Sequence, residues 1–115
     1  MPMLALQISI PLSNQQRHAL LAPLSQIVAE CIGKPERYVM IAIDEATMSM
    51  GGDESPAAYA DIRSIGGLSG AVNRKLSERV SALLEERLGI PPARIYLGFT
   101  SVSAENWGWN GGTFG

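Results

Sequence analysis

Leu20-Leu21-Ala22-Pro23-Leu24-Ser25-Gln26-Ile27-Val28-Ala29-Glu30-Cys31-Ile32-Gly33-Lys34-Pro35 returns in altered form as Leu76-Ser77-Glu78-Arg79-Val80-Ser81-Ala82-Leu83-Leu84-Glu85-Glu86-Arg87-Leu88-Gly89-Ile90-Pro91. The apolar positions coincide: Leu20 with Leu76, Leu24 with Val80, Ile27 with Leu83, Val28 with Leu84 and Ile32 with Leu88. Gly33 then falls on Gly89 and Pro35 on Pro91. The spacing i, i+4, i+7, i+8 places each set on one face of a helix, so two amphipathic helices are predicted. Ser13 and Ser69 stand where N-caps belong, because their hydroxyls can take up a free N–H of the first turn. Gly33 and Gly89 can adopt the left-handed conformation that ends a helix.

Each predicted helix is flanked by strand-like stretches, Met3 to Ile10 and Tyr38 to Asp44 in the first half, Ala58 to Ile65 and Arg94 to Val102 in the second. The unit is βαβ, twice. Two such units make an α/β chain of two layers, an α+β architecture with a four-stranded sheet and both helices on one face. With 115 residues, the whole chain from 1 to 115 is expected to be one domain. The stretch Tyr38-Val39-Met40-Ile41-Ala42-Ile43 does not alternate apolar with polar, as a sheet with one wet face requires. No third layer remains in the sequence, so a second subunit is expected to cover it.

Composition narrows the function classes. Hydrophobic residues make up 46% and charged ones 17%, too apolar for disorder and short enough of charge to suggest surface shared with other copies. A formal net charge of −2 offers no basic field for a phosphate backbone, so nucleic acid is not an expected partner. The single cysteine, Cys31, and single histidine, His18, exclude an intrachain disulfide and the usual zinc ligand sets. No metal is expected. The longest apolar run, Tyr38 to Ile43, is far short of the ~18–20 residues that cross a bilayer. Met1-Pro2-Met3 does not start a signal peptide, and the expected location is the cytoplasm.

Pro2 follows the initiator methionine, and its small side chain suits methionine removal. The processed chain begins with a secondary amine held by a ring. Burial and a nearby cation both favour the neutral amine, which can take a proton from carbon. With Met1 retained, the same nitrogen is an amide without basicity. Lys34, just beyond the helix-ending Gly33 and stiffened by Pro35, is a candidate for the cation and for binding a substrate carboxylate. Ser64-Ile65-Gly66-Gly67 closes the third strand and offers backbone amides to an anion. His18, among Gln15, Gln16 and Arg17, and Cys31, beside the apolar stripe, are expected to be structural, and Gly51 to Pro56 is expected to be a mobile polar loop. Trp107 to Phe114, rich in glycine and aromatics, is expected to dock onto a neighbouring subunit.

Pro2-Met3, Gly33-Lys34-Pro35, Tyr38, Gly51-Gly52, Ser64-Ile65-Gly66, Asn73-Arg74, Leu84, Glu86-Arg87-Leu88, Ile95-Tyr96, Gly108-Trp109-Asn110 and Thr113-Phe114 together resemble the macrophage migration inhibitory factor family of the tautomerase superfamily. The resemblance runs from end to end. It implies a homotrimer with active sites at subunit interfaces, each built around an amino-terminal proline. It implies that Pro2 is the catalytic base, that Lys34 assists catalysis and binds substrate, and that Ser64 and Ile65 lie at the substrate, Ile65 through its backbone amide. Tyr96 is implied to reach the pocket from the neighbouring subunit, with Met3, Tyr38, Trp107 and Phe114 at the apolar wall. The activity implied is keto-enol tautomerisation of a small 2-oxo acid of the phenylpyruvate type. The alternative is a trimeric cytokine-like signalling protein with a vestigial pocket.

Departures from the family bear on that choice. Ala57-Ala58-Tyr59-Ala60 stands where mammalian members carry Cys-x-x-Cys, so thiol oxidoreductase activity is not expected. Leu12 replaces an arginine tied to chemokine-receptor recognition, which weakens the signalling alternative. Gly98 replaces an asparagine that touches the far end of an aromatic substrate, and Trp107 replaces a smaller residue, so pocket shape and substrate preference are open. No additional water-activating carboxylate supports a hydratase or dehalogenase-like use of the amine.

Overall fold

A computed structural model describes residues 1–115. The first repeat forms β1 (Pro2–Ile8), α1 (Asn14–Ile32) and β2 (Met40–Glu45); the second forms β3 (Ala58–Ser64), α2 (Gly70–Leu88) and β4 (Ile95–Ser101). Both helices begin and end as their sequences dictate. The Ser13 hydroxyl accepts the Gln16 N–H while the Gln16 side chain accepts the Ser13 N–H, a reciprocal box that satisfies two otherwise free donors. Ser69 accepts the Val72 N–H without a return bond. Gly33 and Gly89 close the helices in the left-handed region, at φ 77° and 69°.

The sheet order is β2-β1-β3-β4. Each βαβ pair is parallel, and the two halves meet antiparallel at β1 and β3, with Pro2 opposite Ser64 and Ile8 opposite Ala58. Internal duplication is visible in burial, since β1 and β3 share one alternating pattern. Leu4, Leu6 and Ile8 on β1 and Ala58, Ala60 and Ile62 on β3 face the helices, whose stripes Leu20-Leu24-Ile27-Val28 and Leu76-Val80-Leu83-Leu84, with Leu12, Ile32, Ile90 and Ile95, complete one core of 18 buried residues. Burial of this kind contributes about 25 cal/mol per Å² of apolar surface, and with the β1–β3 ladder it holds the two repeats together.

The other sheet face has no layer over it. β2 and β4 are edge strands, and Met40 and Tyr96 on that face are 62% and 64% exposed. Continuous apolar sequence from Tyr38 to Ile43 therefore does not mean burial on both sides within one chain. Tyr38 leaves the strand altogether, because a 3₁₀ turn, Glu36–Tyr38, follows Pro35. Its counterpart in the second half is the turn Pro92–Arg94.

Two further segments take forms the sequence did not specify. Residues 107–114 fold back on their own chain as a hairpin, β5 (Gly108–Trp109) and β6 (Gly112–Thr113), turned by Asn110 and Gly111 at positive φ. The Gly51–Pro56 loop is fastened. The Arg94 guanidinium donates to the carbonyls of Pro56 (3.0 Å), Asp53 (2.8 Å) and Ser55 (2.9 Å), and Met50 and Asp53 exchange backbone hydrogen bonds. The Asp53 carboxyl is held below its ordinary range by the Ser55 hydroxyl and N–H, with Arg94 adding to the effect.

Candidate active site

One end of the sheet gathers most of the candidate residues. Pro2 starts β1 and is fully buried, because alternation turns it to the helix side with Leu4 and Leu6. Its cross-strand partner Ser64 is completely buried, and the Ser64 hydroxyl donates to the Gly66 carbonyl at 2.7 Å. That bond shapes the turn Ser64–Gly67, in which Gly66 and Gly67 both have positive φ, 71° and 80°. Ser64 thus acts as the turn's brace, its one donor already committed. The Ile65 N–H is taken by no acceptor within the chain, which leaves it free for an anion.

Gly67 is where the turn meets the end of α1. A Cβ there would stand 2.6 Å from Ile32 Cγ2 and 2.9 Å from the Ile32 carbonyl, with Lys34 Cε at 3.7 Å. Only glycine permits this approach, and through it Lys34 lies along the Ser64–Gly67 turn. Its charge is felt at the chain terminus: the Met1 amine is lowered from the ordinary 8.0, first by burial and then by Lys34. Both causes act against the protonated form of the Met1 amine.

Above Pro2 lies a cleft of about 250 Å³, walled mainly by hydrophobic side chains. The start of β1 contributes Met1, Pro2 and Met3, and the 3₁₀ turn with the start of β2 contributes Arg37, Tyr38, Val39 and Met40. The hairpin closes the third side with Trp107, Gly108, Trp109 and Phe114. Trp109 stacks on Phe114 with centroids 5.3 Å apart and planes 13° from parallel, and the Arg37 guanidinium lies 4.7 Å from the Tyr38 ring centre.

Of the sequence candidates, Pro2, Met3, Tyr38, Trp107 and Phe114 share this cleft, while Lys34, Ser64 and Ile65 belong to the structure beside its floor. Tyr96 is not there. It sits beside Tyr59 at the opposite end of the sheet, in a second cleft of about 280 Å³. Arg37, Val39, Met40 and Trp109 are wall residues that sequence reasoning did not select. Trp109 was signalled by its place in Gly108-Trp109-Asn110, two positions from Trp107 in a hairpin where such residues share a face. Arg37 carried no signal beyond its neighbour Tyr38.

The largest cavity, about 570 Å³, is an open polar groove along the outside of α2 and contains none of the candidate groups, although the buried Asn73 Oδ1 beside it has no hydrogen-bond partner. No group of three or more His, Cys, Asp or Glu side chains converges anywhere in the chain. No helix is long and apolar enough to cross a membrane.

Comparison with known proteins agrees on one family. The model of the family described as macrophage migration inhibitory factor matches residues 1–115. The macrophage migration inhibitory factor of Meriones unguiculatus is 37% identical over 99% of both chains, and the homolog from Brugia malayi is 37% identical over the full length of both. Among solved structures, the homologue from Prochlorococcus marinus is 42% identical and superposes with a TM-score of 0.93, covering 98% of this chain and 99% of that one.

Proposed function

The chain belongs to the macrophage migration inhibitory factor family, and from that premise we propose that it is a cofactor-independent keto-enol tautomerase acting on small 2-oxo acids of the phenylpyruvate type. The observation that carries this is the position of Pro2: buried at the floor of an apolar cleft, next to a terminal amine that burial and Lys34 already push toward neutrality. With Met1 removed, the Pro2 nitrogen becomes that amine.

Neutral Pro2 takes the proton from the carbon next to the ketone, and the ammonium so formed returns a proton at the other site of the enolate. Lys34 and the Ile65 N–H receive the substrate's oxygens and stabilise the negative charge as it develops. Met3, Tyr38, Trp107 and Phe114 take the substrate's apolar part and exclude water, with Trp109 backing Phe114. Tyr96 serves a neighbouring copy's site. The active form is a homotrimer of single-domain subunits, in keeping with the uncovered sheet face and the exposed Met40 and Tyr96, and its proposed location is the cytoplasm.

The test compares the processed protein, Pro2→Gly and a form retaining Met1, each verified by mass spectrometry, in phenylpyruvate tautomerisation. Loss of about 100-fold or more is expected in both altered forms. Because the base works unprotonated, activity is present above the amine's pKa and lost as pH falls through it, at a midpoint below the ordinary amine range. Equal rates in all three forms sink the proposal. An inactive processed protein that still forms trimers favours the signalling alternative.

A further inference from the structure

A Cβ built on Gly98 would stand 2.5 Å from the Tyr59 hydroxyl oxygen and 3.4 Å from Tyr59 Cζ. The space that a side chain at position 98 would take is thus filled by a phenol delivered from β3. Tyr59 and Tyr96 are register partners across β3 and β4, and both line the 280 Å³ cleft at that end of the sheet. No hydrogen bond within the chain uses the Tyr59 hydroxyl, and it is not among the buried unpaired groups, so it is open to an incoming partner.

We propose that Tyr59 is a specificity-determining residue, whose hydroxyl, standing in the space Gly98 leaves, hydrogen-bonds a polar substituent at the far end of an aryl 2-oxo acid. This rests on the trimeric tautomerase proposed above. Pro2 pairs with Ser64, whereas Tyr59 lies five residues back along β3, about 17 Å away at the rise of a strand. Tyr59 therefore serves the Pro2 cleft of a second copy, alongside Tyr96. Glycine at 98 brings no hydrogen-bonding side chain, while a phenol is both donor and acceptor and matches a ring hydroxyl in either sense. The tip of its ring lies over Gly98 of the neighbouring strand, so the preference is built into the sheet.

The experiment measures kcat/KM for 4-hydroxyphenylpyruvate and for phenylpyruvate in the processed wild type and in Tyr59→Phe, which removes one oxygen and keeps the ring. The ratio favouring the hydroxylated substrate is expected to fall about fivefold, through KM, with the constants for phenylpyruvate unchanged. Gly98→Ala, which forces the hydroxyl aside, is expected to erase the same preference, and adding it to Tyr59→Phe to change the ratio no further. An unchanged ratio in Tyr59→Phe, with wild type active on both substrates, overturns this assignment alone. A wild type inactive on both overturns the tautomerase reading together with it.

Discussion

The two repeats build two clefts from corresponding positions, and the residues at the floor tell them apart. Met1, Pro2, Met3, Tyr38 and Met40 in the first correspond, 56 positions on, to Ala57, Ala58, Tyr59, Arg94 and Tyr96 in the second. At the floor, a proline that can bear a free amine is matched by Ala58, whose nitrogen is an internal amide. Lys34 is matched by Ile90, which is 0% exposed. Each cleft also has its own cover, the hairpin 107–114 over the first and the Met48–Gly51 segment beside the second. A duplicated frame thus repeats the geometry, and the two clefts are told apart by single residues at matched places.

The sharpest way to break the comparison is to exchange the matched residues. Ile90→Lys is expected to destabilise the fold by about 3 kcal/mol or more, because it sets an unpaired charge in the core, and urea unfolding measures it. Lys34→Ile is expected to leave the urea midpoint nearly in place while lowering kcat/KM by about 100-fold. Its acid limb should also move to higher pH: after burial, Lys34 is the second cause that lowers the terminal amine, so its removal is expected to let the pKa of the Pro2 amine rise. Equal effects on stability would mean that the two positions are not used differently.

A smaller effect separates the covers. Arg94→Ala frees the Asp53, Ser55 and Pro56 carbonyls and is expected to cost about 1–2 kcal/mol. Hydrogen exchange should quicken at the Met50 and Asp53 amides while those of the hairpin stay unchanged. Faster exchange in both covers would show that the two ends of the sheet are mechanically linked.

Smallest is the difference between the helix starts. Ser13→Ala breaks a reciprocal box and Ser69→Ala a single bond, so losses of about 1.5 and about 0.7 kcal/mol are expected in thermal unfolding. Equal losses would assign no value to the Gln16 return bond.

What the sequence disclosed, it disclosed through periodicity. Leu20, Leu24, Ile27 and Val28 with their second-half counterparts, the capping serines and the terminal glycines are local signals, and the helices follow them closely. Strand ends were less legible. The turn after Pro35 draws Tyr38 out of β2 and into the cleft wall, a consequence of backbone restriction that hydrophobicity does not register. The fastening of residues 51–56 was invisible, because it depends on Arg94, some forty positions away, donating to carbonyls that every residue possesses. Arg37 and Met40 escaped notice for a similar reason: they line the cleft through where the chain turns, and their residue types announce nothing.

Residues from the two extremes of the sequence, Met1 and Pro2 on one side and Phe114 on the other, line the same small cleft. An affinity handle, a fluorophore or a surface linker joined at either extreme would therefore sit in the doorway of the site it was meant to report on. Gly51 and Gly52, exposed at the tip of a well-anchored loop, are the safer place to attach one.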